Sequence, residues 1–176
     1  DLDPNLPGRK VFDKAVIAPD ANNAESWFQG TPFTGIFDGN GHTISHLTIT
    51  GKDYLGLFGE MGSRDAGCCP HCAEVKNLGV VDVDITGSGD YVGGLMGHDF
   101  MGTVTGCYSI GSVSGNSDVG GLAGYIALGG VTGCYAAGAV SGTGSYVGGL
   151  VGWNDDGCVR DCSSTARASG NEKVGG

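Results

Sequence analysis

A phrase of seven residues recurs through this chain with small variations. Tyr91-Val92-Gly93-Gly94-Leu95-Met96-Gly97 returns as Asp118-Val119-Gly120-Gly121-Leu122-Ala123-Gly124 and as Tyr146-Val147-Gly148-Gly149-Leu150-Val151-Gly152, then breaks off at Lys173-Val174-Gly175-Gly176. The valines at 92, 119, 147 and 174 stand 27, 28 and 27 residues apart. A fixed period of this size marks a stacked repeat, because one such unit is too small to bury its own apolar face. The period therefore limits the architecture before any single residue does.

Other landmarks keep the same spacing. Twelve residues after each valine a second strand is predicted: Val104-Thr105-Gly106-Cys107, Val131-Thr132-Gly133-Cys134 and Val159-Arg160-Asp161-Cys162. Ten residues further come the corners Ser114-Gly115, Ser141-Gly142 and Ser169-Gly170. Short apolar runs between glycine, serine, asparagine and aspartate read as strands joined by turns. Equivalent strands of successive units run in one direction, so they pair in parallel, and the connection expected for parallel strands is right-handed. The predicted fold is all-β: a right-handed parallel β-helix with one coil per repeat of about 27 residues.

The columns extend towards the N-terminus. Tyr54-Leu55-Gly56-Leu57-Phe58-Gly59 matches the valine-glycine strand, Val75-Lys76-Asn77-Leu78 the second strand and Thr86-Gly87 the corner. Here the strands lie 20 rather than 12 residues apart, which places an insertion of about eight at residues 63–74. Ile44-Ser45-His46-Leu47 and Thr50-Gly51 are matched to the same strand and corner one coil earlier. Residues 1–30 carry Pro4, Pro7 and Pro19, lack the period, and read as an irregular lead-in or edge cover. Residues 31–176 form the repeats, the last of them cut short, and the chain reads as a fragment of a longer protein.

Glycine supplies 36 of the 176 residues, a density also found in disordered chains. Disorder, however, goes with few apolar residues, and here 40% are apolar and recur in step with the glycines. The formal charge of −10 argues against nucleic acid, which needs a basic face, and against anionic membrane surfaces. No run reaches the roughly 18 apolar residues of a membrane span, so no membrane insertion is expected within the fragment, and no signal segment opens it.

The motif Val-Gly-Gly-Leu-x-Gly, followed by Val-x-x-Cys-Tyr and a Gly-x-Val-Ser-Gly corner, resembles the GLUG repeat. Phe33-Thr34-Gly35-Ile36-Phe37-Asp38-Gly39-Asn40-Gly41-His42-Thr43-Ile44 is similar to the segment that commonly precedes such repeats. The resemblance covers roughly residues 33–176. It implies a β-helical stalk of a large bacterial surface or secreted protein. Adhesin-like proteins and the non-catalytic regions of immunoglobulin A1-cleaving metallopeptidases carry such stalks. It offers no catalytic set to transfer, and it implies an extracellular or cell-surface location. The insertion and the segment Cys162-Ser163-Ser164, which lacks the tyrosine, depart from the pattern.

Candidate sites are few. Leu47, Leu78, Cys107, Cys134 and Cys162 are assigned to one inward column, where reduced thiols act as small apolar residues. Cys68, Cys69, His71 and Cys72 are a nominal zinc set, but their spacing wraps poorly round one ion. A local disulfide, Cys68 with Cys72, is the favoured alternative, and unpaired thiols are the third. His42, His46, His71 and His98 share no column, and Asp38-Gly39-Asn40-Gly41 reads as a tight turn rather than a calcium loop. Tyr108 and Tyr135 form an outward column that could meet a sugar ring or a protein; mutual shielding of the coils is the plainer reading.

Asp155, Asp156 and Asp161 cluster near one coil, whereas Phe100, Ala127 and Leu128 hold the equivalent places below, so a solvated corner is favoured over a carboxylate pair. A Thr-x-Thr row for ice or mineral binding ends with Thr103-Val104-Thr105. The expectation is a non-catalytic structural and interaction stalk with no cofactor, whose partner would be an extracellular glycan or protein. The alternative is a carbohydrate-active or carbohydrate-binding β-helix, akin to a polysaccharide lyase or glycosidase.

Overall fold

The computed structural model describes residues 1–7, 10–22, 24–62 and 73–176, with no helix among them. Four sheets, all parallel where strands pair, are built from strands that recur coil by coil. In one coil the strands are Val92–Gly93, Met96–Phe100, Thr103–Thr105 and Tyr108–Gly115. The next coil repeats them as Val119–Gly120, Ala123–Ala127, Gly130–Thr132 and Tyr135–Gly142. The chain is a parallel β-solenoid.

Pairing is in register, so like residues stack. Val119 lies between Val92 and Val147, and Val131 between Val104 and Val159. Val75, Val104 and Val131 are fully buried, as are Val92, Val119 and Val147. A valine buried this completely contributes roughly 2 kcal/mol, which it can do only if a coil lies on either side. At the last coil the same columns open: Val159 is 39% and Val174 44% exposed. At the other end, residues before Ile36 make single parallel bridges, Phe12 to Ile49, Ile17 to Phe58 and Phe33 to Met61.

The coil differs from the expected two strands and a corner. The run Val104-Thr105-Gly106-Cys107 is broken at Gly106, where φ is +60°, so Cys107 already leads into another sheet. Asn77, Gly133 and Asp161 turn the same corner with φ of 53°, 63° and 52°. Glycine, asparagine and aspartate tolerate this left-handed conformation best. Ser114-Gly115 is not a separate corner but the end of an eight-residue strand. Its alternation was masked by Gly111, an interior glycine with φ of +150°.

Leu47 also needs correction. It is buried, but it does not belong to the column of Leu78, Cys107, Cys134 and Cys162. Ile36–Asp38 takes the place beside Glu74–Lys76, and Thr43 pairs with Gly79. Leu47 therefore falls beside Val83, with its carbonyl accepting the Asp84 N–H at 2.9 Å. An extra residue, Asp82 with φ of +52°, bulges the nine-residue strand Gly79–Gly87 against its eight-residue neighbour.

Gly138, at φ of +117°, has no room for a side chain: a Cβ there would stand 1.9 Å from the Gly111 carbonyl oxygen. Gly130 has open space at the same distance. Gly138→Ala is expected to lower stability by about 2 kcal/mol or more, and Gly130→Ala by less than about 0.5 kcal/mol. Urea denaturation midpoints compare them.

Candidate binding face

The sheet formed by Phe58–Gly62, Met96–Phe100, Ala123–Ala127 and Val151–Asp155 carries the chemistry on one side of the solenoid. Register places Glu60, His98, Tyr125 and Trp153 in one row, and Gly62, Phe100, Ala127 and Asp155 in the next. Two rows of left-handed residues flank them. One is Tyr54, Tyr91, Asp118, Tyr146 and Lys173, with φ between 51° and 61°; the other is Met101, Leu128 and Asp156. Each non-glycine residue held there costs about 1 kcal/mol.

The rings interlock. His98 stacks on Tyr125 at 4.9 Å, Tyr146 on Trp153 at 4.7 Å and Tyr54 on Tyr91 at 4.8 Å. Tyr125 meets Trp153 edge-on at 5.0 Å, and Phe28 of the lead-in meets Tyr54 at 5.3 Å. Lys173 sets its ammonium 4.1 Å from the centre of the Tyr146 ring. Such contacts add roughly 1 kcal/mol each, so the ribbon binds coil to coil, with Tyr54 and His98 buried and Trp153 exposed.

Charge is folded into this face. His98 Nδ1 lies 3.2 Å from Glu60 Oε2, both side chains being almost wholly buried. The Tyr125 hydroxyl donates to Asp155 Oδ2 at 3.0 Å; burial first, and then this bond, push its pKa up to about 12. Asp118 stands where other coils place tyrosine or lysine. It is buried, and its Oδ1 has no hydrogen-bond partner among the described residues. Burial, and then the Asp90 carboxylate, raise its carboxyl to about 7. Asp90 is fixed by a corner ladder: its N–H donates to Asp53 Oδ1 at 2.7 Å, and its Oδ1 accepts the Ser117 N–H at 2.9 Å.

A second buried carboxyl lies behind the sheet. Asp99 is fully buried, accepts the Gly102 N–H at 2.8 Å, and is raised to about 7 by burial. Its column also holds Met61, Ile126 and Asn154, and Asn154 donates to the Gly157 carbonyl at the equivalent turn.

The remaining sequence candidates are scattered. Tyr108 and Tyr135 stack at 5.9 Å on the long sheet, away from the aromatic sheet, and the Tyr108 ring lies over Gly79. Cys107 and Cys134 are buried and Cys162 partly so; the Cys134 and Cys162 sulfurs each accept the N–H of the cysteine one coil before at 3.3 Å. The bond shared with Cys107, and then burial, raise the Cys134 thiol. Asp155 and Asp156 border the aromatic sheet, while Asp161 turns a different corner. Cys68, Cys69, His71 and Cys72 lie outside the described residues. Among those described, no three His, Cys, Asp or Glu side chains are grouped to hold a metal ion. The row of His98, Tyr125 and Trp153 escaped the sequence reading. Its signal was there: each directly follows the motif's last glycine, at Gly97, Gly124 and Gly152.

The architecture defines a β-solenoid repeat protein. Residues 143–169 match the family described as the GLUG motif. The chain is also 36% identical over 87 residues to Halomucin of Haloquadratum walsbyi, a match spanning 48% of this chain and 1% of that protein. No solved structure matches it significantly.

Two results are expected of these groups. Asp99 and Asp118 hold protons in the fold that they release on unfolding, where their pKa is near 3.8. The unfolded state then binds fewer protons, so the contribution of these two groups to stability is greatest below about pH 4 and is lost as pH rises through about 7. Thermal melts from pH 5 to 8 should show this fall, and Asp99→Asn, with Asn154 as precedent in its own column, should flatten it. Among the described cysteines, mass mapping after native alkylation should find exposed Cys158 labelled first, then Cys162, with Cys107 and Cys134 reacting only on unfolding.

Proposed function

We propose that this segment is a non-catalytic structural and interaction module, a stalk of a larger surface or secreted protein with an adhesin-like role. The observation that carries the reading is the unbroken stacking of like residues, Val92 on Val119 on Val147, around one dry interior. Such a body gains length by adding coils, each advancing the axis by about 4.8 Å. The GLUG motif supports this reading, and the name Halomucin, borne by a relative of which the match covers 1%, supports a surface setting.

A second reading, a carbohydrate-active β-helix using Asp155 and Asp156, draws on the cleft beside Tyr125. Incubation with acidic and neutral polysaccharides separates the two. No turnover is expected; turnover abolished by Asp155→Ala with Asp156→Ala would overturn the first reading. Excision of residues 119–146, one whole repeat, should leave a folded protein shortened by one coil in small-angle scattering. Surface proteolysis of the native cells should release the parent protein, and its recovery solely from lysates would refute the surface role.

A further inference from the structure

We propose that the cleft between Tyr125 and Leu128 is a subsite for one ring of a neutral or amine-bearing saccharide, wherever the parent protein resides. In the row Phe100, Ala127 and Asp155, the small middle side chain leaves a cleft of about 380 Å3. Phe100 lies on one side in the coil before, Asp155 and Asp156 on the other in the coil after, and Tyr125 and Leu128 stand to either hand. The Tyr125 hydroxyl holds the exposed Asp155 carboxylate at the rim.

The backbone of that rim points to a ligand. At the corner made by Asn77, Gly106, Gly133 and Asp161, left-handed φ falls on residues that accept it. Here an aspartate takes it only at Asp156, and in the two coils before it falls on Met101 and Leu128, at 61° and 59°. Both are also in water, 38% and 50% exposed. A half-exposed leucine in a strained conformation gains only part of what full burial would return, and strain retained at a water-facing rim is a mark of functional surface.

The lining selects the chemistry. A pyranose offers an apolar face of C–H groups and a girdle of hydroxyl donors; the cleft offers an aromatic and aliphatic floor with carboxylate acceptors. Among the described residues no lysine or arginine lines it, the His98 imidazole on its wall is buried 3.2 Å from Glu60, and the chain carries −10, so sugar acids are disfavoured. An amine on the ring would add an ion pair with Asp155 or Asp156.

The test is titration of the isotope-labelled chain, followed by backbone amide signals, with a cello-oligosaccharide, a glucosamine oligomer, an oligogalacturonate and a lysine-rich peptide. The first two should saturate and shift the amides of Tyr125, Ala127, Leu128 and Asp156; the oligogalacturonate should not. Tyr125→Ala, and Asp155→Asn with Asp156→Asn, should weaken binding about ten-fold or more, while Tyr135→Ala on the long sheet leaves it unchanged. Leu128→Gly separates function from folding, because glycine accepts the left-handed φ. It should weaken binding and hold the thermal midpoint at or above that of the parent. The proposal falls if neither saccharide shifts these amides at millimolar concentration. It also falls if the peptide matches the glucosamine oligomer while the cello-oligosaccharide shifts nothing, which would make the cleft a general cation surface.

Discussion

Hydrogen bonding between a strand and its counterpart in the next coil, 27 or 28 positions later in the regular repeats, holds this chain together. Each parallel ladder satisfies the backbone polar groups of one coil with those of the next, and in doing so it stacks identical side chains. The apolar columns are a consequence of the register: Val104 over Val131 buries both because the ladder brings them opposite. A single coil has neither a backbone partner nor an apolar cover, so stability belongs to the stack.

The same repetition makes deviations visible. A solenoid of identical coils would have uniform faces, and three of the sheets come close to that. The fourth departs from it, collecting Glu60, His98, Tyr125 and Trp153 in one row, and the tyrosine and lysine row that flanks it buries a carboxyl, Asp118. Burial of Asp99 and Asp118, helped at Asp118 by the Asp90 carboxylate, raises both carboxyls to about 7, so that they stay largely protonated in mildly acidic solution. The stack tolerates them by keeping them protonated, because a neutral carboxyl costs far less to bury than the carboxylate both would form in water.

Much of the fold could be read from spacing. Valines at fixed intervals, with glycine beside them, required equivalent strands to lie parallel and one above another. The inner place of Cys107 and Cys134 followed from the same count. Leu47 was misassigned because a short apolar run fits several strands once an insertion shifts the count, and only the pairing of Thr43 with Gly79 resolves it. The division of each coil into four strands was hidden at corners such as Gly106, where one residue's φ redirects the chain. Spacing reports such a residue as a gap of one, with no sign that a sheet ends there.

Periodicity in the amino-acid order, with short apolar runs set between glycines, pointed to an all-β stack of parallel coils with a dry interior, since one unit of about 27 residues leaves its valines in water until another coil covers them. Which side of the stack gathers these aromatic and ionisable side chains was visible only in three dimensions. His98, Tyr125 and Trp153 are 27 and 28 residues apart, and Asp155 lies 30 residues from Tyr125, yet all meet within one sheet. Their meeting depends on the direction in which each side chain leaves the backbone and on the depth at which its neighbours cover it. Those are properties of register, twist and corner dihedrals, and they exist only once the coils are stacked.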